Sequence, residues 1–119
     1  MANLNDIMDY LADECTLQTS TVTKASGWTE GQNWVKKKFG IVQMYFEVNG
    51  GSVSSSGWIT VGTLPEGFRP VGTYIDMVNL DNSRSSDCCI KIGTGGAIQV
   101  YKTSTLSNNL RLYAMFTTW

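Results

Sequence analysis

The chain of 119 residues predicts an all-β fold: an antiparallel β-sandwich, jelly-roll-like, preceded by one short N-terminal helix. Three observations predict it. From Asn33 onward, short runs alternate apolar and polar side chains, the period of a half-buried strand. Clusters of glycine, asparagine and serine break those runs at regular intervals, as turns between sandwich strands do. Apolar residues at helical spacing occur only near the start, between Asn3 and Glu14.

The elements follow in order. Asn3 is placed to cap a helix over Asn3–Glu14, and Asp6 sits in its first turn, where negative charge is favoured. Leu4, Ile7, Met8 and Leu11 form one apolar stripe, while Asp6, Asp9 and Asp13 fall largely elsewhere. A helix of about 12 residues is marginal alone in water, so its stripe must pack on something. That something is either its own β-domain or a short bundle with the same helix of other subunits. Leu4, Met8, Leu11 and Cys15 step by four, three and four, as a coiled-coil seam does. Residues 1–15 are therefore assigned as an oligomerisation element built on Leu4, Ile7, Met8 and Leu11. Residues 16–32 read as a polar, extended linker that Trp28 pins to the domain edge. Residues 33–119 read as the β-sandwich head domain.

Within the head, Trp34–Phe39 and Ile41–Val48 pair across a tight turn at Gly40. Val42, Met44, Phe46 and Val48 alternate with Ile41, Gln43, Tyr45 and Glu47. Both sets contain apolar groups, so this strand is expected to be covered on both faces, by a second sheet and by a neighbouring subunit. Asn49-Gly50-Gly51 marks a turn. Trp58–Val61 is a strand that stops at Leu64-Pro65, since proline donates no amide hydrogen and biases its predecessor towards extended geometry. Glu66-Gly67 offers a turn, Phe68 drops its ring onto the core, and Pro70 fixes the backbone before a strand over Val71–Leu80. Asp81–Asp87 reads as a polar loop. Cys88–Ile92 and Ala97–Lys102 form a hairpin through Gly93–Gly96. Thr103–Asn109 is a second polar loop, and Leu110–Thr118 is a strand with Leu112, Ala114 and Phe116 opposing Arg111, Tyr113 and Met115.

Composition narrows the function classes. Charged residues make up 16%, against about 25% in a typical domain. Net charge is −1, which gives no electrostatic footprint for nucleic acid or a membrane surface. No apolar run is long enough to span a membrane, and no signal peptide is apparent. Of the three cysteines, Cys88 and Cys89 are strand neighbours that point to opposite faces and do not suit a mutual disulfide. With no histidine and no C-x-x-C spacing, a metal site is not expected. Nucleophilic triads lack their usual base. Nothing in the spacing of Glu66, Asp76, Asp81 and Asp87 sets two carboxylates across a cleft, so glycoside cleavage is the least favoured reading. Gly93–Gly96 precedes a strand rather than a helix and reads as a hairpin turn, not a phosphate cradle. Lys36-Lys37-Lys38 alternates in facing and reads as solvent-facing charge that guards a sheet edge.

Three stretches carry a resemblance. The corner GWITVGTLPEGFRP (Gly57–Pro70), the approach Trp34-Val35-Lys36-Lys37-Lys38-Phe39-Gly40 and the helical opening Met1–Glu14 together resemble small β-domains of bacteriophages. Those domains end the tail-fibre, baseplate and minor structural proteins of phages, chiefly those of Gram-positive hosts. The resemblance implies a virion protein, assembled in the host cytoplasm as a homotrimer beside other virion proteins, with no cofactor and no catalytic signature. Receptor specificity varies within such a group, so no ligand carries across. A receptor-binding head that recognises host cell-surface saccharide is expected, with a ligand-free structural or decoration protein as the alternative. The residues themselves point the same way. Four tryptophans and five tyrosines exceed what a small core needs, and sugar sites combine an aromatic platform with a few polar loop groups. The expected ligand-binding residues are Asp81, Asn82, Arg84 and Asp87 in one loop, and Ser107, Asn108 and Asn109 in the other. Tyr101 is expected to supply the flat face.

Overall fold

The computed structural model describes residues 3–49, 57–80, 83–102 and 110–119. Helix α1 spans Leu4–Cys15. Nine antiparallel strands follow among the described residues: β1 (Gln18–Ser20), β2 (Thr23–Lys24), β3 (Thr29–Lys38), β4 (Ile41–Asn49), β5 (Trp58–Thr63), β6 (Tyr74–Leu80), β7 (Ser83–Ile92), β8 (Ala97–Lys102) and β9 (Leu110–Thr117).

Asn3 caps α1 as its side chain predicts. Its Oδ1 accepts from the Asp6 amide at 2.9 Å, and the Asp6 carboxylate accepts from the Asn3 amide at 3.3 Å, a reciprocal capping box. No residue of the helix is buried. It leaves the sandwich at one point, where the Phe39 amide donates to the Glu14 carbonyl at 2.9 Å.

The strands form one hydrogen-bonded ladder in the order β1-β3-β4-β9-β6-β7-β8-β5-β2, folded into two packed layers. The fold turns over between β9 and β6. These strands pair at Asn79↔Arg111 and Leu80↔Leu110 at one end. The other ends separate, and Tyr74 there lies against the Phe116 ring at 5.9 Å. One layer is β1-β3-β4-β9 and the other β6-β7-β8-β5-β2.

The two outermost strands, β1 and β2, are consecutive in the chain. Gln18–Ser20 pairs with Val35–Lys37 on one layer, and Thr23-Lys24 pairs with Gly62-Thr63 on the other. Buried Val22 makes the crossing. Its amide and carbonyl are both met by the Asn33 side chain, at 2.7 Å each. An amide is the side chain that donates and accepts at once, so Asn33 stands in for a ladder partner at a bulge of β3. Residues 16–32 thus supply both sheet margins and the start of β3. The expected edge-guarding role of Lys36–Lys38 is corrected by this pairing, because β1 covers that edge of β3.

The core lies between the layers. Val42, Met44, Phe46 and Val48 of β4 and Leu110, Leu112 and Ala114 of β9 face Val61, Ile90, Ile92, Ile98 and Val100, all buried. Each of these side chains larger than alanine contributes roughly 1.5–3 kcal/mol on leaving water. Trp28 is buried in the same cluster. Layer contact is close at Gly62, where a Cβ would lie 2.9 Å from both Phe46 and Val22. The corner behaves as its sequence predicts. Leu64 and Phe68 are buried, the Phe68 amide closes a turn onto the Pro65 carbonyl, and Arg69 Nε donates to the Leu64 carbonyl at 3.1 Å. The following strand begins later than expected, at Tyr74 rather than Val71, because the Val71 amide is taken by the Thr117 carbonyl.

A ten-residue strand is about 33 Å long and a twelve-residue helix about 18 Å. The molecule measures 56 × 25 × 24 Å, so helix and sandwich lie end to end.

Candidate functional site

The molecule has two unlike ends. At the helix end lie α1, the Phe39-Gly40 turn, the Leu64–Pro70 corner and the Gly93–Gly96 turn. The far end is defined by the pairs Thr29↔Asn49, Leu80↔Ser83, Leu80↔Leu110 and Cys88↔Lys102. These positions flank residues 50–56, 81–82 and 103–109. The strands leading into both expected binding segments therefore end side by side, away from the helix. Asp81, Asn82, Ser107, Asn108 and Asn109 themselves lie outside the described residues.

Arg84 and Asp87 occupy a different setting from the one expected. Ser83–Asp87 is strand, the first half of β7, and not loop. Arg84 pairs with Asn79, and the register shifts between Val78↔Ser85 and Met77↔Cys89, which places Asp87 in a bulge of β7. The polar run misled because it lacks apolar alternation, whereas Ser83–Ser85 is held by its backbone ladder to β6 whatever its side chains. Bulges bend a strand and re-aim its residues, which suits a binding margin.

Tyr101 is where a flat face was expected, and it has company. The register aligns Trp58, Tyr101 and Cys89 across β5, β8 and β7, with Thr60, Gln99 and Lys91 in the next outward row. The inward neighbours Ile90, Ile92, Ile98 and Val100 are buried, so this row faces out. The Trp58 and Tyr101 rings lie 5.4 Å apart at 49°. Lys91 Nζ sits 4.2 Å from the Trp58 ring centroid, and Gln99 Nε2 donates to Thr60 Oγ1 at 3.4 Å. Aromatic faces, an amide, a hydroxyl and an ammonium group thus share one surface beside the far end. Trp58 and Lys91 were missed as site residues. The Gly93–Gly96 turn fixes Lys91 opposite Gln99 and was visible in sequence. The pairing of Trp58 with Tyr101 is non-local and was not.

The outer face of β3-β4-β9 is a second aromatic surface. Trp34, Tyr45 and Tyr113 run in contact, with ring centroids 6.0 and 4.5 Å apart. Tyr45 is buried and donates to Glu47 Oε1. Burial, together with that carboxylate beside it, pushes the Tyr45 phenol up to about 12. Where β6 and β9 separate there is a hollow of about 280 Å³ lined by Gln43, Tyr74, Asp76 and Tyr113, in which the Tyr74 hydroxyl donates to Asp76 Oδ2 at 3.0 Å.

The stripe residues Leu4, Ile7, Met8 and Leu11 are 70, 47, 58 and 52% exposed, so α1 does not pack its apolar side on its own sandwich. Cys15 and Cys89 are free thiols, and Cys15 is exposed. Among the described residues no cluster of His, Cys, Asp and Glu is arranged to hold a metal ion. Among them, too, no helix is long and apolar enough to cross a membrane.

These features define a class by form: a small antiparallel sandwich with a helix at one end and, at the other, the strand ends that flank residues 50–56, 81–82 and 103–109. The fold is shared with a solved phage protein, the receptor binding protein (gp15) of Listeria phage PSA, at a TM-score of 0.67 and 18% identity. The match covers 96% of this chain and 73% of that one. No family model matches the chain, and no curated protein matches it.

Proposed function

We propose that this chain is a phage virion protein, a receptor-binding head of a tail fibre or baseplate that recognises host cell-surface saccharide without cleaving it. The observation that carries the reading is the fold likeness to a phage receptor-binding protein over nearly the whole chain. The two-ended layout supports it. The helix end offers an apolar stripe to other subunits of a homotrimer, and the far end presents strand ends, a bulge and the Trp58–Tyr101 face to solvent. Arg84, Asp87, Asn108 and Asn109, with Asp81, Asn82 and Ser107, would supply donors and acceptors to ring hydroxyls, and Tyr101 with Trp58 the apolar platform. Each site would bind weakly, and avidity across a symmetric oligomer and many copies per particle would multiply the effect.

Attachment of the purified protein to host cell walls tests the reading, with a glycan array to name the sugar. Trp58→Ala, Arg84→Ala and the pair Asn108→Ala with Asn109→Ala should each reduce attachment while melting temperature and oligomer mass stay near wild type. Loss of one charged hydrogen bond corresponds to about 1.5–3 kcal/mol per site. Undiminished attachment in all three would refute this site and favour a decoration protein without a ligand. Release of sugar fragments would instead make the protein an enzyme.

A further inference from the structure

We infer that the acidic helix of one copy docks in a lysine-rimmed apolar hollow on the sandwich of a second copy. The proposal rests on the assembly reading above and names the surface that receives the stripe. It differs from a bundle of helices.

The hollow measures about 360 Å³ and lies at the helix end of the β3-β4-β9 layer. Its apolar lining comes from Leu17, Phe39, Ile41 and Met115, which are 54, 48, 51 and 63% exposed. Lys36 and Lys38 stand beside it on β3. In a single chain the hollow and the stripe of α1 are both left facing solvent. The bond from the Phe39 amide to the Glu14 carbonyl holds the root of the helix at the rim, and the helix leads away from the sandwich. A helix therefore cannot fill the hollow of its own chain.

Charge selects this occupant. The segment up to Thr23 holds four of the ten acidic residues and none of the nine basic ones. At 100° per residue, Glu14 borders the stripe of Leu4, Ile7, Met8 and Leu11 beside Ile7, and Asp9 lies about 100° beyond Met8 on the acidic side of the helix. A parallel bundle of such helices would gather carboxylates with no basic residue to answer them. The hollow answers them with Lys36 and Lys38, whose ammonium groups now lie 4.9 Å from the Trp34 ring centroid and 5.9 Å from that of Phe39.

Phe39 adds an independent observation. It is the only non-glycine among the described residues with positive φ, at 53°. It shares a tight turn with Gly40, where asparagine or glycine is the residue such geometry favours. An aromatic ring held in left-handed backbone and half exposed gains little burial within its own chain. Strain of that kind collects at binding surfaces, and here the strained residue lines the hollow.

The test uses the full chain and light scattering across a concentration series. Wild type should assemble at micromolar concentration. Lys36→Glu with Lys38→Glu should raise the concentration for half-assembly at least tenfold, and adding Asp9→Lys with Glu14→Lys should restore it. Phe39→Asn should weaken assembly without lowering the melting temperature, because it relieves the turn as it removes the ring. Oxidation followed by peptide mapping should yield no Cys15–Cys15 disulfide, which a helix bundle would favour by stacking the stripes. A charge-reversed lysine pair that assembles as wild type does, or a ready Cys15–Cys15 bridge, would overturn the docking and leave the assembly reading standing. A wild-type monomer at 100-fold higher concentration would overturn both.

Discussion

Phe68 is the clearest point at which the strand-corner-strand unit is tied to the core. Its ring is buried at 8% exposure, and Lys37 Nζ lies 5.1 Å from its centroid while donating to the Gly67 carbonyl at 2.6 Å. The perturbation is Phe68→Ala. A buried aromatic side chain removes about 150–250 Å² from water. At about 25 cal/mol per Å², reduced by the compactness of real denatured chains, that predicts a loss of about 3–5 kcal/mol. Unfolding entropy for 119 residues is on the order of 250 cal/mol/K near 60 °C. A loss of about 4 kcal/mol therefore lowers the melting temperature by about 16 °C. Urea titration followed by tryptophan fluorescence measures it, with Val71→Ala as a control at a site 61% exposed, expected within about 0.5 kcal/mol of wild type. A loss below about 1 kcal/mol at Phe68 would refute the reasoning and leave the corner as a contact surface.

Other expectations follow from single contacts. Gly40 has φ +71, and a Cβ there would stand 2.6 Å from two carbons of the Trp119 ring. Gly40→Ala should cost about 1 kcal/mol from backbone strain alone, and more for displacing the ring. Much of the excess should vanish in a Trp119→Ala background, a double-mutant cycle read by urea unfolding. Tyr45 titrates near 12 when folded against about 10 unfolded. The unfolded chain loses that proton first, so the contribution is intact below pH 10 and stability falls between about pH 10 and 12. Absorbance at 295 nm should show a late-titrating phenol that Tyr45→Phe removes.

The sandwich was legible where residues alternate strictly. In β4 and β9 alternation separated the sets: Val42, Met44, Phe46 and Val48, and Leu112 with Ala114, are buried, Phe116 of the same β9 set is partly buried, and Tyr45 of the opposite β4 set is buried as well. The capping box at Asn3 and the anchor at Phe68 were equally plain, because both depend on neighbours within a few residues. Ser83–Asp87 was not legible as strand, since a polar run announces no face. Nor were β1 and β2, two very short strands whose partners lie far along the chain. Of the site, Tyr101 was visible as an aromatic before a polar segment. Its contact with Trp58, and Lys91 over that ring, required the register of three strands.

The crossing at Val22 has a mechanical consequence. β1 runs from the root of α1 towards the far end, laid antiparallel on Lys37 to Val35, and the chain then passes to β2 on the opposite layer. A pull on the helix against a load held at the far end acts along β1, so its ladder bonds are stressed together in shear instead of being peeled one by one. The Asn33 side chain, gripping both backbone groups of Val22, stands next in line. Through β2 the tension then divides into the second layer. A tether that enters both layers through one strap spreads force over the whole sandwich before any strand is asked to leave it.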